Sequence, residues 1–464
     1  MFLKTMALIL SFIMGIFSYP LSFLPCKNDT SFYTQTGDFF TLNGEHIYAA
    51  VDGEMLENST IVLDKKVTVD LDLQLVDWFN YFTFNYQTDS YIKGEITYKT
   101  GVTDNSEDFF LEPAESGTFS SFIDDCLNGT KADGIYSISF EPLNVTSAKI
   151  RINGMSTFNR EVPDREVFIE NNGYKIGVDL QWGGALSYLE DTDSSVEAVK
   201  TEDRVYVDSD ASERYGVKAF SKNVNLINRY DPGRLVQQSY YGTGDCEQYQ
   251  GGIFMDFKWN YNPVQGGNQY GDSSKIVDIR CEDNSIYIKC RPLDWALPAE
   301  NITPSYMEAT YTIEKNSVHV ECRYVDFSGY PAIMTSQETP AFYCIEPFNR
   351  FVYANGGEIK SEPDLVFWHN GGNPDFYSDE NWAAFVGPQE DSFGIGVYIP
   401  DETRFRSGVF NRGDDLSKDP SKGAPTSYIA VINFRESTSF DPYSYEYYIT
   451  TGNTEEIQTT FNAL

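Results

Sequence analysis

Between Asn225 and Gly271 the chain gathers side chains suited to gripping a hydroxyl-rich ligand. Planar amides and guanidinium groups read hydroxyls through fixed donors and acceptors, and neighbouring aromatic rings give a sugar ring a flat apolar face. The first half reads DPGRLVQQSYYG. Asp231-Pro232-Gly233 predicts a turn, because proline pre-sets one corner and glycine is free to take positive φ. The strand expected after it alternates, so Arg234, Val236, Gln238 and Tyr240 are expected on one face, and Leu235, Gln237, Ser239 and Tyr241 on the other. The second half, WNYNPVQGGNQYG, predicts a loop that holds Asn260, Asn262 and Gln265 near Trp259. Trp382, in ENWAAFV, is a further stacking candidate.

Proton transfer needs other groups. His369 lies in a polar, glycine-rich stretch and would titrate near neutrality. Glu338, in SQETPAFY, is expected at a strand end, where a carboxylate could act as a general base. Glycosidic hydrolysis would need a second carboxylate facing the same bond, and Glu380 is the candidate. A lyase-type elimination would need a neutralising group, Arg234 or Gln265, and a base or acid, Tyr240, Tyr241 or His369. A tyrosine, ordinarily titrating near 10, would serve only beside a positive charge. The same Gln, Tyr and Asn residues are also what a large sandwich buries as hydrogen-bonded pairs, and sequence leaves both readings open. No nucleophile elbow, phosphate loop, dinucleotide fingerprint, zinc motif or calcium loop is present. Neither a metal site nor a cofactor is expected.

The elements that must position these groups read as strands throughout. Residues 28–160 are short alternating runs punctuated by turns, with TIVLDKKVTVDLDLQL the clearest period-two pattern. This predicts a β-sandwich over 23–160, ending in the polar stretch NREVPDREV. From 165 to 464 longer strands follow one another without a repeat, too many for one immunoglobulin-sized sandwich. The fold class expected is all-β: an N-terminal β-sandwich followed by a large C-terminal two-sheet sandwich.

Several long motifs carry a resemblance. NLINRYDPGRLVQQSYYG, YNPVQGGNQYG, RPLDWAL, SQETPAFY, ENWAAFV, FGIGVYIP and YEYYITTGN resemble a family of secreted proteins associated with the galactose-mutarotase-like supersandwich. That fold also occurs in polysaccharide lyases and sugar epimerases. The resemblance spans roughly 170–464, and DFFLEPAESGTFSSFID resembles the smaller sandwich that accompanies it. It implies a fold and a carbohydrate ligand, and by itself no particular activity.

Composition sets the compartment. Lys4 precedes the apolar run MALILSFIMGIF, so residues 1–22 are expected to be a cleaved signal peptide rather than a membrane anchor. The formal charge of −35 disfavours nucleic acid and anionic membranes as partners. Seven cysteines without a CxxC pair suit an exported chain. Cys26 and Cys126 are the pair expected in the N-terminal third. An odd cysteine remains, which would permit a disulfide-linked or self-associated assembly. Sequons at Asn28, Asn58, Asn128, Asn144 and Asn301 are compatible with glycosylation. The reading is a secreted carbohydrate-binding protein, with a lyase-like enzyme, a non-catalytic lectin and a structural coat glycoprotein as its versions.

Overall fold

A computed structural model describes residues 30–36, 39–42, 45–56, 58–193, 224–299, 301–363, 365, 374–411 and 419–464. His369, Cys26 and Asn28 lie outside the described residues, as does the expected signal peptide. The described chain is antiparallel β throughout, with short 3-10 turns and one α-helix, Thr454–Phe461.

The first pair of sheets uses strands from Thr30 to Asn159. A six-stranded sheet runs Ala114–Phe122, Tyr81–Thr88, Ala148–Asn159, Ile61–Leu63 and Glu54–Met55, with Thr30–Thr36 added beside Ala148–Asn159. A five-stranded sheet runs Thr103–Leu111, Ile92–Thr100, Ala132–Pro142, Val67–Phe79 and Tyr48–Val51. The long alternating run read from the sequence breaks at Asp64–Lys66, and its two parts enter different sheets. Ile92–Thr100 shows how the pattern works: buried and half-buried residues alternate along it, and Ile92, Ile96 and Tyr98 join the core between the sheets.

The second pair is larger. A ten-stranded sheet has the order Glu166–Asn171, Tyr174–Asp179, Ala185–Asp191, Val236–Ser239, Ile333–Ile345, Thr426–Ser437, Arg404–Phe410 and Asp375–Tyr377, with Pro263–Val264 and Leu293–Asp294 branching from it. A nine-stranded sheet has the order Lys275–Cys281, Ser285–Arg291, Ser305–Ile313, Val318–Asp326, Tyr443–Gly452, Gly394–Tyr398, Trp382–Val386, Arg350–Asn355 and Glu358–Glu362. Val236, Phe342, Ile429 and Val431 of the first pack against Ile288, Met307, Val320 and Ile449 of the second in one continuous core. The all-β, two-sheet supersandwich expected from the sequence is what these sheets form.

Each large sheet also has an outer face, and the two are treated differently. One half of the nine-stranded sheet is covered by the N-terminal sheets, whose core takes in Val277, Tyr306, Val325 and Phe327. The far end is covered by the helix Thr454–Phe461, which seats Ile457 and Phe461 on Val352, Trp382, Ala384 and Val386. An Asn453–Glu456 capping box starts that helix. The sequence reading took this terminal segment for part of the strand run. Between these two covers the middle of the nine-stranded sheet stays open, with Glu321, Ser444 and Glu446 exposed. The outer face of the ten-stranded sheet is the other large sheet surface open to a ligand.

Charge pins the two pairs of sheets together. Arg160, buried, bonds Asp278 at 3.2 Å and the Ile279 carbonyl at 2.9 Å, and stacks over Tyr81 and Phe122. Tyr81 donates to the same Asp278 at 2.9 Å, and Arg323 reaches across to Glu112 at 2.6 Å. Arg280 holds the other Asp278 oxygen at 2.7 Å, so removing Arg160 strips the buried carboxylate of one of its two guanidinium partners and leaves the Ile279 carbonyl without that donor. Arg160→Ala should therefore lower the unfolding free energy by about 3 kcal/mol in urea titration. A loss under about 1 kcal/mol would mark this as a surface-like pair instead.

Candidate functional site

The outer face of the ten-stranded sheet is organised around an irregularity in Ile333–Ile345. Its register with Thr426–Ser437 pairs Glu338 with Ile432 and Ala341 with Ala430, so Thr339 and Pro340 together oppose the single residue Val431. This is a β-bulge, which re-aims side chains and lets a proline sit inside a central strand. Through it Glu338, Ala341 and Tyr343 all reach the outer face, while Phe342 and Cys344 stay in the inter-sheet core. The sequence placed Glu338 at a strand end. The structure places it mid-strand, at the bulge.

Neighbouring strands add their outward residues by register. Ser239 pairs with Glu338, Tyr343 with Tyr428, Ala430 with Arg406, and Arg406 with Asp375. Tyr428 donates to Glu338 Oε1 at 2.6 Å, and the Tyr241 hydroxyl also hydrogen-bonds Glu338. Burial raises the Glu338 carboxyl above the usual carboxylate range; the Tyr428 bond, the nearby Arg406 and the Tyr241 bond pull it part of the way back. Burial and the Glu338 charge push Tyr241 and Tyr428 well above the ordinary tyrosine value, so both stay protonated donors. Asp375 is the contrast. Burial works against its charge, but hydrogen bonds from Arg406 and Arg404 hold it below the usual range. The site thus pairs a carboxyl poised to exchange a proton with one held ionised between two arginines.

Arg234 reaches this face by an unexpected route. Leu235 has φ 75°, a left-handed conformation that is an outlier for a bulky residue. It breaks the alternation, so Val236, Gln238 and Tyr240 turn inward while Arg234 turns outward. The Arg234 guanidinium lies 5.3 Å from the Tyr343 ring and 5.2 Å from the Phe410 ring. Its Nε has no hydrogen-bond partner among the described residues and stands 3.9 Å from Asp231. The expected turn before it forms, closed by Asp231 Oδ1 accepting from the Gly233 amide at 2.9 Å, but Gly233 does not use positive φ there. Gly233 is required there, because a Cβ would fall 2.4 Å from the Trp295 ring.

Several expected site residues go elsewhere. Tyr240 is buried in the inter-sheet core, stacked on Tyr324 at 3.9 Å and donating to Gln238 Oε1. Gln238 in turn donates to the Glu308 carbonyl, so neither faces a ligand. Gln265 is buried as well, spending its amide on Gly183 O and Tyr311. Asn262 is buried too, and holds Trp259 by accepting its indole N–H at 3.1 Å while donating to the Tyr240 carbonyl. Trp382 is fully buried beneath the C-terminal helix, its indole bonded to Glu380. Glu380 therefore cannot partner Glu338. The other loop candidates fare better. Trp259 is half-buried, 6.2 Å from the Tyr241 ring, and Asn260 is half-buried beside it. Tyr241, a candidate acid or base from its sequence, does reach the site. Tyr343, Tyr428 and Arg406 were missed, because only the sheet order brings them there.

No disulfide joins the described cysteines; Cys126, Cys290, Cys322 and Cys344 are buried thiols. Asn58, Asn128, Asn144 and Asn301 are all exposed. Among the described residues no group of three or more His, Cys, Asp or Glu side chains is arranged to hold a metal ion.

No protein-family model and no curated protein matches the sequence. Solved structures similar to the chain include a galactose mutarotase-like protein from Lactobacillus casei, at 14% identity and a TM-score of 0.33 over 62% of this chain and 99% of that one. A galactose mutarotase related enzyme from Lactobacillus acidophilus aligns at 9% identity and a TM-score of 0.35, over 62% and 98%. The GH36 alpha-galactosidase AgaA from Geobacillus stearothermophilus aligns at 10% identity and 0.32, over 62% of this chain and 40% of that one.

The raised carboxyl of Glu338 has a stability consequence. A group whose folded value is raised stabilises the fold below its unfolded value, about 4.3 for Glu, and that contribution is lost as pH rises through the folded value. Glu338→Gln should therefore be more stable than the native protein at pH 8, with the gap closing as pH falls towards 4. Thermal melts across pH check this; a gap that widens towards acid would contradict it. Trp382→Ala should cost about 3–5 kcal/mol in stability through the cavity it leaves. Because the residue lies under the helix, carbohydrate affinity measured by calorimetry should not change.

Proposed function

We propose that this protein binds carbohydrate on the outer face of its ten-stranded sheet and acts there as a lyase-like enzyme on extracellular glycans. The observation that carries the reading is Glu338, a partly accessible carboxyl with a raised proton affinity, held by two protonated tyrosines on an open sheet face. Trp259 beside Tyr241 offers the apolar face that a sugar ring stacks on, and Asn260 a planar amide for its hydroxyls. The similarity to mutarotase-like proteins and to an alpha-galactosidase agrees with a sugar ligand without specifying a reaction.

A lyase-type step asks for one base rather than two facing carboxylates. Glu338 takes the proton from the carbon beside the sugar carboxylate. The Arg234 and Arg406 guanidinium groups neutralise that carboxylate as charge builds on it. A tyrosine hydroxyl, Tyr241 or Tyr428, is the donor at hand for the leaving oxygen, and the carbon–oxygen bond breaks to leave a double bond in the ring. Export is part of the proposal and rests on the apolar N-terminal run and on the four exposed sequon asparagines.

The test is incubation with a panel of uronic-acid polysaccharides, followed by ultraviolet absorbance of unsaturated products and by calorimetric binding. The native protein should bind and turn over at least one polymer. Glu338→Gln should lose about a hundredfold or more in turnover while keeping its affinity. Saturable binding without product would overturn the enzymatic part and leave a lectin. Neither binding nor product across the panel would overturn the whole reading.

A further inference from the structure

Two groups of aromatic side chains stand in solvent on opposite sides of Glu338. On one side is a hairpin, Gly252–Phe254 with Phe257–Trp259, closed by Met255 and Asp256 at φ 49° and 66°. Two successive residues at positive φ are the tight turn that matches strand twist. The register pairs Phe254 with Phe257 and Gly252 with Trp259, so the three aromatic rings lie on one face of the hairpin. Phe254 is wedged between Trp259 at 5.0 Å and Trp295 at 5.6 Å, which stiffens the base of the arm. Phe257, further out, is 67% exposed.

On the other side the sheet face continues past Glu338. Ser336, two residues along the same strand, pairs with Phe434, which is 60% exposed. Tyr377, at the sheet's last strand and paired with Arg404, is 55% exposed. Gln337 bonds both the amide and the carbonyl of Tyr241, which puts Tyr241 beside Ser336. A row therefore runs Trp259, Tyr241, Ser336, Phe434, with the small serine as its low point. Strands lie about 4.8 Å apart, so the rings at either end of the row are separated by roughly two strand spacings or more.

Exposed rings grouped on one surface and rimmed by polar side chains mark a ligand-binding groove rather than ordinary surface. From this placement we infer that the ligand is a chain of sugars rather than a free monosaccharide: an extended oligosaccharide lying across the sheet, stacked on Phe257 and Trp259 at one end and on Phe434 and Tyr377 at the other, with Glu338 beneath its middle. The polar groups between the rings favour this occupant over a membrane or a protein. Arg404, Arg406, Asn260 and Ser336 interrupt the apolar surface at short intervals, as ring hydroxyls and carboxylates require. The formal charge of −35 opposes an anionic bilayer. The inference rests on the carbohydrate reading above and adds the length of the ligand.

The test is a calorimetric series on the full-length protein with uronic-acid and neutral cello- and malto-oligosaccharides from one to six units. Affinity should rise with length and level off once both flanks are filled. Phe257→Ala and Phe434→Ala, both at exposed positions that the fold does not need, should each weaken hexasaccharide binding roughly fivefold to tenfold and leave the shortest bound sugar unchanged. Affinity independent of length, or variants that weaken a monosaccharide as much as a hexasaccharide, would overturn the inference while leaving a sugar site at Glu338. Binding that is absent at every length would remove the carbohydrate reading and this inference with it. Pull-down of a protein, or vesicle binding lost in Phe257→Ala, alongside absent sugar binding would mark the flanks as a different kind of interface.

Discussion

A strand residue faces either into a sandwich or out of it, and the bulge at Thr339 and Pro340 is where this chain departs from strict alternation. Without the extra residue, Glu338 and Tyr343 would lie on opposite faces of their strand. With it, both reach the outer face, while Phe342 and Cys344 still fill the inter-sheet core. Leu235, strained at positive φ one strand away, performs a similar inversion for Arg234. Two local distortions thus deliver the carboxyl and the guanidinium to one surface without disturbing the hydrophobic pattern beneath them.

The rest of the molecule keeps that surface open. The nine-stranded sheet could not leave the two ends of its outer face in water, because the outward residues there include Val277, Val325, Trp382 and Val386. The N-terminal sheets take one end and the C-terminal helix the other, while Glu321, Ser444 and Glu446 stand exposed between them. The ten-stranded sheet needs no such cover. Its outer face carries arginines, tyrosines, a glutamate and an aspartate, with an apolar patch of Ala341, Tyr428, Ala430 and Ile432 and the exposed ring of Phe434 beyond it. The nine-stranded sheet docks the accessory elements at its two ends, and the ten-stranded sheet gathers Glu338, Asp375, Arg404 and Arg406 on its outer face. The half-buried charge costs stability, which is the usual condition of a site prepared for chemistry.

Much of this was legible in the sequence. Period-two alternation, the turn residues and the absence of helical periodicity gave the all-β class and the large sandwich. Glu338 was found because its neighbouring proline marked an interruption, although the interruption was taken for an end. The strand parity of Arg234, Gln238 and Tyr240 was misjudged because nothing in the letters GRL announces a leucine at φ 75°. Trp382 and Gln265 were misplaced for a different reason. Amide-rich and aromatic residues suit sugar binding and core hydrogen bonding alike, and only the sheet order decides between them. Tyr343 and Tyr428 join the site solely through long-range pairing, which one strand's sequence cannot report.

The central claim is that the ligand face is the outer surface of the ten-stranded sheet. Hydroxyl-radical footprinting with mass spectrometry tests it directly, with and without the tightest-binding oligosaccharide of the size series. The account predicts that Tyr241, Trp259 and Phe434 lose reactivity on binding, while Trp78, exposed on the N-terminal sheets, keeps its own. Protection of Trp78, or of the surface around the helix Thr454–Phe461, with Tyr241 and Trp259 unchanged, would contradict it.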